Sequence, residues 1–170
     1  LVGSEMCIRD RSGTDPVRVF RLVADESRFL SGAATTLVAV PADPELPATE
    51  TTELVIAATA GIDEPMDVHA IPVEGTVIGE AFVQRLPGRF DSLRLIRGDA
   101  TLTGPALVLP LHATGAVAGV LVALRPAGAP PFSSDQLDIM SAFADQAALA
   151  WQLARTQRQM RELSILTDRD

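Results

Sequence analysis

Apolar and polar positions along this chain change period several times, and each change marks an element. "GTDPVRVFRLVADESRFLSG" carries helix signals at both ends: Asp15 can cap, Pro16 takes the first helical position and Gly32 lies just past the end. Phe20, Val23, Ser27 and Leu30 share a face with Val19 and Ala24, a stripe able to cover a sheet. "AATTLVAVP" is a β-branched run closed by Pro41 and predicts a strand buried on both faces. "ADPELPATET" predicts a solvent loop, and "ELVIAATAG" a second strand ended by Gly61.

"IPVEGTVIGEAFVQRLPGRF" predicts a short helix over residues 76–85, with Val77, Ala81 and Phe82 on one side and Pro87 and Gly88 ending it. "DSLRLIRGDATLTG" has no clear period and predicts a loop, longer than a connection requires. Such a loop is the natural lid of a ligand pocket over residues 86–104, with Arg89, Arg94 and Arg97 placed to cap an acidic ligand. "PALVLPLHATGAVAGVLVALRP" predicts an antiparallel hairpin with Gly115 in its turn. Pro110 inside the first run demands a bulge or an edge-type pairing. Ala116, Ala118 and Gly119 are small enough to let a helix approach.

The last helix has the fullest start signal. In "PFSSDQL", Ser133 can cap while Gln136 reaches back, and Phe132 and Leu137 complete a hydrophobic staple. Nothing breaks the pattern before about Leu166, which gives a rod of about 50 Å at 1.5 Å per residue. A body of about 140 residues is roughly 35–40 Å across, so the rod should overhang it. Met140, Phe143, Ala144, Ala147 and Trp151 are available to dock on the sheet. A second stripe, Leu149, Leu153, Thr156, Met160, Leu163 and Thr167, alternates spacings of four and three, as the seam of a parallel two-helix stalk does.

Composition narrows the functions. The chain of 170 residues has 47% hydrophobic residues, no tyrosine and one tryptophan, so one core of Val, Leu, Ile and Ala is expected. A net charge of −8, no lysine and scattered arginines argue against nucleic acid. No apolar run approaches the roughly 18–20 residues that span a bilayer, and a cytoplasmic place is the default. Residues 1–11, "LVGSEMCIRDR", resemble translated adaptor sequence rather than a natural start, which would leave Cys7 without a role.

Candidate chemistry is sparse. His112 beside the hairpin turn is expected to face solvent, and one imidazole without further ligands makes a poor metal site. His69 in "MDVHAIP" is chemically able to ligate haem if buried and neutral. Asp63 and Glu64 in a turn, and Glu74 and Glu80 flanking the short helix, have no partner groups for catalysis and are expected to be solvated. Ser133 and Ser134 are caps rather than nucleophiles. No cofactor or metal is expected.

The order helix, strand, strand, helix, long loop, hairpin, capped long helix resembles a GAF domain. That implies an α+β fold, a PAS-related antiparallel sheet with helices on one side and a long C-terminal signalling helix. "IPVEGTVIGEAF", the stretch from "GPALVLPLHATG" onward, and above all "FADQAALAWQLA" to "RELSILTDRD" resemble the second GAF domain of DevS/DosS/DosT-type sensor histidine kinases. In that family haem sits in the first GAF domain, held by a histidine in the loop after the short helix. "GRFDSLRLIRGDATLTG" has none, which fits a haem-free second domain.

The resemblance implies residues 12–154 as the GAF domain and 155–170 as the start of a coiled-coil linker towards an absent kinase core. It implies a fragment of a two-component kinase that dimerises, relays a signal to the downstream kinase domain and serves a response regulator. A bilin cysteine near the pocket and a set of catalytic thiols are missing, Cys7 being the one cysteine, and the asparagine–lysine motif of cyclic-nucleotide GAF domains is absent because the chain has neither Asn nor Lys. The competing expectation is a stand-alone receptor domain for a small molecule or haem.

Overall fold

The computed structural model describes residues 16–61, 70–97, 100–113 and 116–168. Its elements run α1 (Pro16–Ser31), β1 (Thr35–Pro41), β2 (Glu53–Ala60), β3 (Ile71–Pro72), α2 (Val77–Gln84), β4 (Gly88–Arg97), β5 (Ala100–Ala113), β6 (Ala116–Leu124) and α3 (Ser134–Asp168). The strands form one antiparallel sheet in the order β3-β2-β1-β6-β5-β4.

Alternation along the central strands divides the core in two. Leu107, Leu109 and Leu111 of β5 and Leu121 and Ala123 of β6 face α1 and α3. Their neighbours Ala106, Val108, Val120 and Val122 face α2, where Ile78, Ala81 and Phe82 pack with Leu37 and Leu54. The α+β architecture is the expected one, with the two long helices on one side. The short helix is on the other, because its apolar residues meet the second face of strands buried on both sides.

Stripe α1 follows Phe20, Ala24, Ser27 and Ser31, all buried. Ser27 Oγ donates to Ala24 O at 3.0 Å and Ser31 Oγ to Ser27 O at 2.6 Å, so neither buried hydroxyl is left unsatisfied. Ser31 takes the inward position in the last turn, and Leu30, expected on the core stripe, is 54% exposed instead. Gly32 follows with φ 66°, the left-handed conformation that ends the helix.

The expected loop over 86–104 is corrected to a strand pair. Gly88–Arg97 pairs with β5 from Gly88↔Val108 to Arg97↔Ala100. Its alternation is hidden by a bulge, since Asp91 and Ser92 stand against Pro105, which has no N–H to offer β4. Pro110 lies beyond the end of β4, where that side of β5 has no ladder to satisfy. The close approach at Gly119 is also not to a helix: a Cβ there would lie 2.1 Å from Ala39 O of β1.

Both halves of the capping box form at the start of α3. Gln136 N donates to Ser133 Oγ at 3.1 Å and Ser133 N to Gln136 Oε1 at 2.7 Å. Ser133→Ala is expected to lower unfolding stability by about 1 kcal/mol, and Gln136→Ala by less, in urea titrations.

Candidate functional site

Helix α3 changes surroundings along its length. Met140, Ala144, Ala147, Ala148 and Ala154 are buried against the sheet and α1, with Phe143 and Trp151 half-buried beside them. All five residues expected to dock do so. Ala154 is the last buried residue described, and residues 155–160 are exposed throughout. The 14 helical positions from Arg155 to Asp168 span about 20 Å at 1.5 Å per residue.

The expected seam lies on the side away from the core. Leu149, Leu153, Met160 and Leu163 are 55–64% exposed. Thr156 is exposed as well, with its hydroxyl donating to Gln152 O at 2.9 Å. The opposite side of the helix carries an ion pair between Arg158 and Glu162, 3.6 Å apart, and Arg155 stands 5.5 Å over the Trp151 ring. Helical geometry puts the five seam positions on one stripe, since steps of four and three return to the same face.

A feature missed in the sequence adjoins that stripe. An open groove of about 400 Å³ runs between α1 and α3, lined by Val19, Leu22, Val23, Phe143, Ala147 and Leu153 among others. Leu22 is 50% and Phe29 87% exposed, one heptad apart on α1. The signal is present as "LVADESRF", where the two residues lie off the stripe that covers the sheet.

Among the described residues the remaining candidates do not assemble into a reactive centre. Glu74 and Glu80 are exposed. His112 pairs with Val117 and is half-buried, not fully solvent-facing, because β5 continues past it to Ala113. Asp15, Asp63, Glu64, His69 and Gly115 lie outside the described residues, as do residues 1–11 with Cys7. Among the described residues no group of three or more His, Cys, Asp or Glu could hold a metal ion. No helix described is long and apolar enough to cross a membrane.

The three arginines expected on a lid are on the edge strand. Arg89 Nη1 donates to Phe132 O at 2.9 Å, Arg94 is exposed, and Arg97 closes β4. The α2 face behind them is filled by Phe82, Leu93, Leu95 and Val108, all at most 8% exposed.

Comparison with known proteins agrees with this arrangement. The sequence matches the GAF domain family over residues 13–151. It is 53% identical to the second GAF domain of DevS from Mycobacterium smegmatis, with a TM-score of 0.74 over 86% of this chain and 99% of that one. Another structure of that GAF-B domain gives 52% identity, with the same TM-score and coverage. The GAF domain of the Acinetobacter phosphoenolpyruvate-protein phosphotransferase is 11% identical, at a TM-score of 0.67 over 86% of this chain and 87% of that one, which shows a shared fold alone. With a family match over residues 13–151 and about half of the aligned residues shared with a solved member, the chain belongs to the GAF domain family.

Proposed function

We propose that this chain is a non-catalytic sensory and regulatory module of a cytoplasmic two-component histidine kinase. It pairs with a second copy through α3 and passes conformational change to a kinase domain further along, whose phosphoryl group goes to a response regulator. The observation that carries this reading is the exposed stripe Leu149, Leu153, Met160 and Leu163 on a helix that outruns its own core. Solvent-facing leucines at heptad spacing gain free energy only when another apolar surface covers them. Similarity to the second GAF domain of DevS supports the kinase context. Residues 12–154 are the sensory body and residues 155–170 begin the linker.

The receptor reading, with Arg89, Arg94 and Arg97 over a pocket, has less support. Arg89 is engaged by Phe132 O, and apolar side chains fill the face where the pocket would lie. A haem held by His69 has no support beyond the imidazole itself.

Cysteine cross-linking tests the pairing directly. In a Cys7→Ser background, Met160→Cys should give a disulfide-linked dimer on mild oxidation, because a parallel two-fold seam brings position 160 against itself. Arg158→Cys, on the far side of the helix, should stay largely unlinked. Equal linkage at both positions, or none at 160, would reject the seam.

A further inference from the structure

The connection from β6 to α3 is built from residues that cannot enter a ladder. Pro130 and Pro131 lack an N–H and hold φ near about −65°, so the segment is a stiff strut whose carbonyls take donors from elsewhere. Arg125, immediately after β6, supplies two. Its Nη1 donates to Pro130 O at 2.9 Å and Pro131 O at 3.2 Å, and its guanidinium lies 4.0 Å from the centroid of the Phe132 ring. The backbone N–H of Arg125 donates to Pro105 O at 2.8 Å, which ties this anchor into the sheet.

The next carbonyl, that of fully buried Phe132, lies outside the helix ladder. The first helical bond of α3 runs instead from Leu137 N to Ser133 O at 3.0 Å. Phe132 O is taken by Arg89 Nη1 at 2.9 Å. Three successive carbonyls at the root of α3 are therefore held by two guanidinium groups, one from β4 and one from the residue after β6.

The two arginines differ in what holds them. Arg125 follows a strand paired on both sides, whereas Arg89 is on β4, the sheet's edge, bonded only to β5 and just ahead of the bulge at Asp91 and Ser92. Strand β4 begins directly after Leu86 and Pro87, which follow Arg85, the left-handed cap of α2 at φ 59°. Helix α2 packs on the sheet face opposite α3. Arg89 pairs with Leu107 and shares its α3 side of the sheet, while the next residue, Phe90, pairs with Ala106 and packs on the α2 side, so this end of β4 is gripped from both faces.

We infer that Arg89 is a positioning residue that couples displacement of α2 and β4 to the root of α3, with Arg125 as the fixed pivot. The inference rests on the relay reading for its purpose and gives that relay a route through the domain.

The test is a hydrogen-exchange cycle on the intact chain, comparing the parent, Phe82→Leu, Arg89→Met and the double variant. Amides of the first two turns of α3 are read against those of β1 and β6. Loosening α2 by Phe82→Leu should raise exchange at the root about fivefold while Arg89 is present, and less than about twofold once it is Met. Arg125→Met should raise root exchange whichever residue stands at 82. If Phe82→Leu does not fold, Ile78→Val perturbs the same face more gently. A response to the α2 substitution that is equal with and without Arg89, or absent in both, overturns the coupling. Exchange is followed at protein concentrations below and above pairing. A failed cycle in a chain that dimerises counts against the strut alone, and a working cycle in a strict monomer counts against pairing alone.

Discussion

Leu153→Asp and Met160→Asp should each weaken self-association by about 100-fold or more while leaving the fold intact. In the free chain both side chains are already more than half exposed, so replacing either removes little native burial, and unfolding stability should move by about 0.5 kcal/mol or less. In a two-fold seam each substitution occurs twice. Burying a fully exposed Leu or Met is worth about 1.5–3 kcal/mol, so covering the exposed part of two such side chains is worth about 2–4 kcal/mol, to which the repulsion of facing carboxylates adds. At about 1.4 kcal/mol per tenfold, the dissociation constant rises by two orders of magnitude or more. Sedimentation equilibrium on the parent and both variants, with urea unfolding alongside, separates association from folding. Unchanged association in both variants would place the contact elsewhere, with the Leu22 and Phe29 side of α1 the next surface to substitute.

Much of α3 was legible beforehand, because its signals are local. The capping box, the docking residues and the exposed stripe all depend on spacing within one helix, and the structure keeps each of them. The edge strand β4 was not legible, for a reason that lies in another strand. Its inward residues Phe90, Leu93 and Leu95 are spaced by three and then two, because the bulge opposite Pro105 inserts a residue. A period-two search fails across such a bulge. The pair Leu93 and Leu95 around Arg94, with Leu102 between Thr101 and Thr103, was the remaining trace of a hairpin.

The root of α3 shows the same limit. Arg89 read as a cation awaiting a ligand because nothing nearby in sequence needs it. Its acceptor, Phe132 O, is supplied by a segment that only the order β6-β5-β4 brings alongside. Local pattern identifies which groups want partners. Topology decides which partners they get.

Gly119→Ala should be, with Gly104→Ala, among the most damaging single-methyl changes in the sheet, costing about 3 kcal/mol or more, and Gly119→Val should prevent folding. An added Cβ would lie 2.1 Å from Ala39 O and 3.1 Å from both Ala39 C and Val40 Cγ1. The first obstacle is backbone in a strand whose register with β6 runs from Thr35↔Leu124 to Ala39↔Val120, so relief requires moving β1 itself. The glycine also sits at a special point of β6. Leu111 pairs with Gly119 and His112 with Val117, leaving Ala118 as the extra residue of a bulge that swings β6 across the end of β1. Gly32→Ala provides the contrast. It has nothing within 4 Å but a φ of 66°, so its cost is backbone strain alone, about 1 kcal/mol. Urea midpoints for the two alanine variants should therefore fall in that order, with Gly119→Ala lowest. If the two were equal, the approach of β1 would be loose enough to absorb a methyl group, and the bulge at Ala118 would no longer explain why a glycine follows it.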